Sequence, residues 1–191
     1  MTYIINRPVT VVVILLSLFV LTGCSGVFGD SPREQADEAI SKANESISEH
    51  NKLFDRARLT YDTVKNKIEN GDDPSKEKDD ITGAKNDLIA ARNHLQDANA
   101  SLDTVNDLDV DPAVKEYANL LSEAMQDQLD AEAKEIDFYG ILEQDPALKN
   151  NREQALDLLS KIGEGYQQAE KTYGEAQEFA DAHPKLIEGS S

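Results

Sequence analysis

Apolar residues recur at seven-residue intervals through most of this chain. In one stretch, Ile40, Ile47, Phe54, Tyr61 and Ile68 form one series, and Ala36, Ala43, His50, Ala57 and Val64 form the other. In the next, Ile81, Leu88, Leu95 and Leu102 run beside Ala84, Ala91, Ala98 and Val105. In the last, Leu148, Ala155, Ile162, Ala169, Ala176 and His183 run beside Arg152, Leu159, Tyr166, Tyr173 and Ala180. The third stretch is less regular. Its apolar residues Val114, Leu121, Met125, Leu129, Ala133 and Ile136 advance in four-residue steps, which locally unwind a supercoil. Two apolar rows seven residues apart place one stripe on each of four long helices.

The helix starts are written alike: Ser31-Pro32, Asp73-Pro74, Asp111-Pro112 and Asp145-Pro146. An oxygen-bearing side chain accepts the orphan N–H groups of a first turn, and proline at N1 loses nothing there. Ser31 with Glu34 completes a capping box, and Asn70-Gly71 reads as the stop of the first helix. Each helix should then run about 30–38 residues, or ~45–57 Å. The linkers are short, at 71–73, 108–111 and 140–145. Short linkers make antiparallel neighbours, so the sequence predicts an all-α, antiparallel up-down-up-down four-helix bundle over 32–183. The alternative is a pair of long helical hairpins that open into an extended coiled coil or dimerise. Alanine rows beside large rows let helices approach near the low end of the ~8–10 Å range. Pro184 ends the last helix, and 184–191 is expected to be a disordered tail.

His50 is the odd occupant of its seam, where the same series otherwise holds Ala or Val. Folding the chain back about residue 72 sets it level with His94. The next turns bring Met125, Gln128 and Gly163-Glu164-Gly165 near that height. A mid-bundle ligand pocket lined by His50, His94, Gln128, Glu164 and Tyr166 is one expectation. The plainer one, favoured here, is that His50 is a buried polar residue fixing helix register, with His94 at the flank.

Other chemistry is sparse. A ferritin-type di-iron bundle needs Glu-x-x-His, but Ile47, Ala91 and Ala180 stand where the glutamates should be. Cys-x-x-Cys-His is absent. Asp107, Asp109 and Asp111 open like a calcium loop, but Pro112 replaces the turn glycine and Ala118 the bidentate glutamate. No Ser-His-Asp order, phosphate loop or His-Glu-x-x-His occurs. The expectation is no enzyme, no cofactor and no metal.

The N-terminal 23 residues break the helical pattern. Met1 to Pro8 carries one positive charge, Arg7, and Val9 to Leu21 is nearly all apolar. A basic start followed by roughly 7–15 apolar residues is the shape of a secretory signal, whereas a spanning helix needs about 20. Leu21, Thr22, Gly23 and Cys24 close the run, and Cys24 is the only cysteine. These four residues resemble the lipobox of bacterial lipoproteins, position for position. The resemblance implies cleavage before Cys24 and diacylglyceryl transfer to its sulfur, followed by acylation of the new N-terminus. It implies a signal peptide over 1–23, a tether over 24–31, and an extracytoplasmic protein anchored to the membrane by lipid on Cys24. Ser25 is not the aspartate of inner-membrane retention, which mildly favours an outer membrane in a host that has one.

Charge agrees with such a location. With 19 Lys+Arg against 37 Asp+Glu, the net charge is −18, which repels nucleic acid and anionic headgroups. Once Cys24 carries lipid, no cysteine remains for a disulfide, so burial alone must hold the fold. The functional expectation is a cell-envelope interaction or structural protein with an envelope protein partner. The alternative is a small solute- or metal-binding lipoprotein using the mid-bundle layer.

Overall fold

The computed structural model describes residues 31–184, and these are helical with no strand among them. The expected signal peptide over 1–23 with Leu21, Thr22 and Gly23, the expected tether from Cys24 up to residue 30, and the tail beyond Pro184 lie outside the described residues. Four α-helices are described: α1 (Pro32–Glu69), α2 (Lys78–Asp103), α3 (Pro112–Gln144) and α4 (Arg152–Ala182).

Three of the four cap signals work as the sequence predicts. Ser31 Oγ accepts the Glu34 N–H at 3.2 Å while Glu34 Oε2 accepts the Ser31 N–H at 2.7 Å, closing the capping box. Asp73 Oδ1 accepts from Ser75 N at 3.0 Å, and Asp111 Oδ1 from Ala113 N at 2.8 Å. After α1, Gly71 takes φ +99°, which lets the chain reverse without a Cβ clash. The α2 segment is flanked by 3-10 turns at Pro74–Glu77 and Thr104–Asp107, leaving 26 α-helical residues, fewer than expected.

The fourth signal fails. Asp145-Pro146 opens no helix. The Asp145 carboxylate instead gathers the N–H groups of Lys149, Asn150 and Asn151 at 2.7–3.1 Å. Leu148 takes φ +48° in this loop, and α4 starts only at Arg152. Leu148 is therefore outside the helix whose row it was expected to begin. Gly140, expected in the linker, lies within α3.

Backbones approach closely between α1 and α2, α2 and α3, and α3 and α4. Partner numbers fall along one helix as they rise along the next. Arg56 meets Asp87 and Lys67 meets Asp80; Lys85 meets Glu143 and Asn99 meets Ser122; Asp127 meets Thr172 and Glu135 meets Tyr166. α1 reaches α3 and α4 through long side chains, such as His50 to Glu132 and Phe54 to Tyr166.

Both rows of α2 are buried along their whole length, as are the alanine-rich row of α1 and most of the α4 rows. Each fully buried leucine, such as Leu88, Leu95 or Leu102, contributes about 1.5–3 kcal/mol. The apolar core falls into three stacked clusters: one around Phe54, Leu88 and Phe138, one around Ile40, Leu95 and Met125, and one around Ala36, Val105 and Val114. The α3 expectation needs correction. Ala133 and Ile136 are only partly buried, while Glu132 and Glu135 are buried.

Candidate functional site

A polar layer sits where the first two apolar clusters meet. α3 supplies it because two seven-residue series run unbroken through that helix: Val114, Leu121, Gln128, Glu135 and Leu142, and Ala118, Met125, Glu132 and Tyr139. All of these are buried except Gln128, which is half-buried. Polar residues at three consecutive inward places therefore face the core.

Glu132 is 0% exposed and His50 1%. His50 Nε2 lies 2.7 Å from Glu132 Oε1, and its Nδ1 lies 3.0 Å from Asn51 Oδ1. Gln128 joins them: its Nε2 donates to Glu132 Oε1 at 2.9 Å, and its Oε1 accepts the Tyr173 hydroxyl at 3.0 Å. The imidazole stacks on Phe54 with ring centroids 5.4 Å apart. Glu132 Oε2 has no hydrogen-bond partner.

One turn along α3, Glu135 organises a second group. Its Oε1 accepts the Tyr139 hydroxyl at 3.0 Å and its Oε2 the Tyr166 hydroxyl at 2.6 Å. Arg58 Nη2 lies 3.3 Å from Glu135 Oε2, and the guanidinium rests about 5 Å from the ring centres of Phe54 and Tyr166. Burial works against the Arg58 charge, but Glu135, Tyr166 and Tyr139 outweigh it and leave its pKa above the ordinary arginine value. Burial, aided by the Glu135 charge, raises the phenols of Tyr61, Tyr139 and Tyr166, with Tyr61 pushed up to about 12. Burial and Glu132 raise Tyr173 likewise.

Of the residues expected in a mid-bundle pocket, His50 and Gln128 come together. Tyr166 belongs to the neighbouring Glu135 group. His94 is half-buried at the flank, near Glu49, and Glu164 is exposed and accepts from Ser160. Neither contributes to the layer. Its chief residues, Glu132 and Glu135, went unseen because the sequence reading followed apolar residues rather than a fixed interval. Holding the seven-residue register of α3 through its polar members places both inside. The double-glycine signal divides in two. Gly165 marks a close approach, since a Cβ there would stand 2.9 Å from Ala131 Cβ, while Gly163 faces open space.

Asp107 and Asp109 are exposed in their turn, and Asp111 serves as the α3 cap. Among the described residues no group of three or more His, Cys, Asp or Glu is arranged to hold a metal ion. None of the described helices is long and apolar enough to cross a membrane.

Acidic and basic residues are unevenly divided about the His50 layer. Segments 31–49, 96–131 and 170–184 share the end that carries Ser31 and the 104–111 turn. They hold eighteen acids against only Arg33, Lys42, Lys115 and Lys171. Segments 51–95 and 132–169 hold seventeen acids against thirteen bases. Most of the net negative charge therefore sits at the end nearest Cys24 in the chain. No protein-family model, curated protein or solved structure matches this chain.

Proposed function

We propose that this chain is a lipid-anchored extracytoplasmic protein whose four helices form an antiparallel up-down-up-down bundle. It acts through its outer surface as an interaction or structural component of the cell envelope. It has no catalytic role and takes no nucleic acid. The anchor rests on Leu21-Thr22-Gly23-Cys24, and the bundle on the descending partner order of successive helices.

One observation carries the surface reading. Each of the five residues expected to line a mid-bundle pocket is engaged with another group or turned away from the layer. His50 and Gln128 bond to Glu132, Tyr166 bonds to Glu135, His94 stands at the flank, and Glu164 faces solvent. Binding then falls to exposed faces, with the tether supplying local concentration.

The test has two parts. Metabolic labelling with a fatty acid should mark the wild-type chain and not Cys24→Ser, and the variant should leave the membrane fraction. An unlabelled wild type overturns the anchor. A thermal-shift panel of divalent metals and small solutes should leave the melting temperature unmoved, and cross-linking in intact envelopes should capture a protein partner. A large ligand-dependent rise would instead favour a solute- or metal-binding lipoprotein. The unpartnered Glu132 Oε2 is the one feature that speaks for that alternative.

A further inference from the structure

The core encloses two carboxylates, Glu132 and Glu135, at 0% and 5% exposure. Two side chains can answer them with positive charge. Arg58 sits beside Glu135 and carries its charge at every physiological pH. His50 sits beside Glu132 and carries a charge only while both ring nitrogens are protonated. Leaving a buried charge without its partner costs several kcal/mol.

The two oxygens at the imidazole suit its charged form. Both ring nitrogens face oxygen, Nε2 toward Glu132 Oε1 at 2.7 Å and Nδ1 toward Asn51 Oδ1 at 3.0 Å. A neutral ring can donate from only one nitrogen; an imidazolium donates from both. Gln128 Nε2 also lies 3.2 Å from His50 Nε2; one of its two hydrogens goes to Glu132 Oε1, and its oxygen accepts from Tyr173. It offers the ring no acceptor.

The position of this pair matters as much as its charge. α1 packs backbone to backbone chiefly on α2, and its side chains reach α3 through His50 to Glu132 and Gln128 and through Arg58 to Glu135. We propose that the His50–Glu132 pair is a proton-sensitive tie. Loss of the second imidazole proton strands the Glu132 charge in the core and loosens α1 from α3 and α4. The other titratable groups around the ring do not substitute for it. On α3, Glu135 is taken by Arg58, Tyr139 and Tyr166. On α4, Tyr166 and Tyr173 keep their protons because burial raises both phenols. On α2, His94 lies toward Glu49, itself a half-buried α1 carboxylate engaged with Lys52.

The sign follows from proton counting. A tie that needs the second imidazole proton binds it more firmly in the folded chain than in the unfolded one, so the proposal requires stability to fall as pH rises. Urea unfolding at about pH 6 and about pH 8.5, at constant salt, should show the wild type losing about tenfold in its folding constant, or ~1.4 kcal/mol. Glu132→Gln keeps the shape and removes the charge. A buried imidazole beside a neutral amide folds better uncharged, so this variant should hold or gain stability over the same interval. Amide exchange should quicken at alkaline pH in α1 ahead of the α3–α4 pair. A wild type that is flat or rises with pH overturns the proposal, as does a Glu132→Gln protein with the wild-type slope. If that variant does not fold, nitrogen NMR of the imidazole decides in a protein carrying His94→Gln and His183→Gln, where His50 is the remaining histidine. A doubly protonated ring at about pH 6 is expected, and a neutral ring at that pH overturns the tie.

Discussion

Gly163 and Gly165 stand two residues apart in α4, and alanine should act in opposite directions at the two positions. In a helix interior, alanine is favoured over glycine by roughly 0.8–1 kcal/mol. At Gly163 a new Cβ meets nothing within 4 Å, so Gly163→Ala should keep that gain whole. At Gly165 the Cβ would stand 2.9 Å from Ala131 Cβ and 3.3 Å from Ala131 Cα. Neither atom can swing aside, because both belong to the α3 backbone or its first side-chain carbon. Relief requires moving α3 away from α4, and overpacking of this kind costs roughly 1–3 kcal/mol. With contacts this short the cost should lie in the upper part of that range. After the helical gain is subtracted, Gly165→Ala should lose about 1–2 kcal/mol. The two variants should then differ by about 2–3 kcal/mol, or roughly 5–10 °C in melting temperature for a domain of this size. Urea and thermal unfolding followed by far-ultraviolet circular dichroism measure both. A Gly165→Ala protein as stable as wild type would refute the close approach of α3 and α4 argued here. A destabilised Gly163→Ala would refute the open space at that site.

Four further outcomes follow from named groups. Asp145→Ala frees the N–H groups of Lys149, Asn150 and Asn151 and should lower the urea midpoint at neutral pH. Those hydrogen bonds hold the Asp145 pKa below its ordinary value, so its contribution is present above that value and fades as pH falls through the depressed one; the two midpoints should converge in acid. Arg58→Ala leaves the nearly buried Glu135 charge with tyrosine hydroxyls alone, and should cost about 3 kcal/mol or more by urea unfolding. Spectrophotometric titration should find Tyr61, Tyr139, Tyr166 and Tyr173 ionising late, since burial raises all four. The unfolded chain releases these protons near the ordinary tyrosine value while the folded chain keeps them, so stability should fall as the alkaline range is entered. At low salt, amide exchange should be faster in 32–45, 96–107 and 170–182 than at the opposite end, and added salt should narrow the gap by screening the acidic half.

Most of the helical skeleton was legible because burial follows spacing. The α2 rows are Leu, Ile and Ala at fixed intervals, and every member is buried. The α1 alanine row with His50 was equally plain. Asp145 misled because Asp-Pro looks the same whether the carboxylate caps the first turn of a helix or closes a loop. The outcome depends on which N–H groups the chain brings to it, and Leu148 at positive φ brings those of 149–151. In α3 the reading followed hydrophobicity through Leu129, Ala133 and Ile136. Leu129 is buried, but Ala133 and Ile136 are only partly so, and the inward series passes through half-buried Gln128 and buried Glu132 and Glu135. An isolated helix would turn those side chains to water. Only partners on other helices make them core residues: His50 and Arg58 on α1, and Tyr166 and Tyr173 on α4.

Those partners also answer a question the alanine rows raise. Ala84, Ala91 and Ala98 offer nearly identical surfaces at successive heights, and so do Ala36, Ala43 and Ala57. Sliding α1 by seven residues would exchange Ala36 with Ala43 and Ala57 with Val64, apolar for apolar at every step of that row that does not involve His50. The same slide would bring Ala43 or Ala57 to the height of Glu132. A carboxylate with no exposed surface would then face a methyl group, and the lost charge pairing would cost several kcal/mol. His50 and Glu132 thus penalise the neighbouring registers far more than they favour the native one over an all-apolar core. Arg58 and Glu135, two turns further along α1 and one along α3, apply the same penalty a second time. A close-packed bundle with small, repetitive side chains needs some irregular feature to fix its alignment. In this chain that feature is the pair of buried polar contacts from α1 to α3, His50 to Glu132 and Arg58 to Glu135.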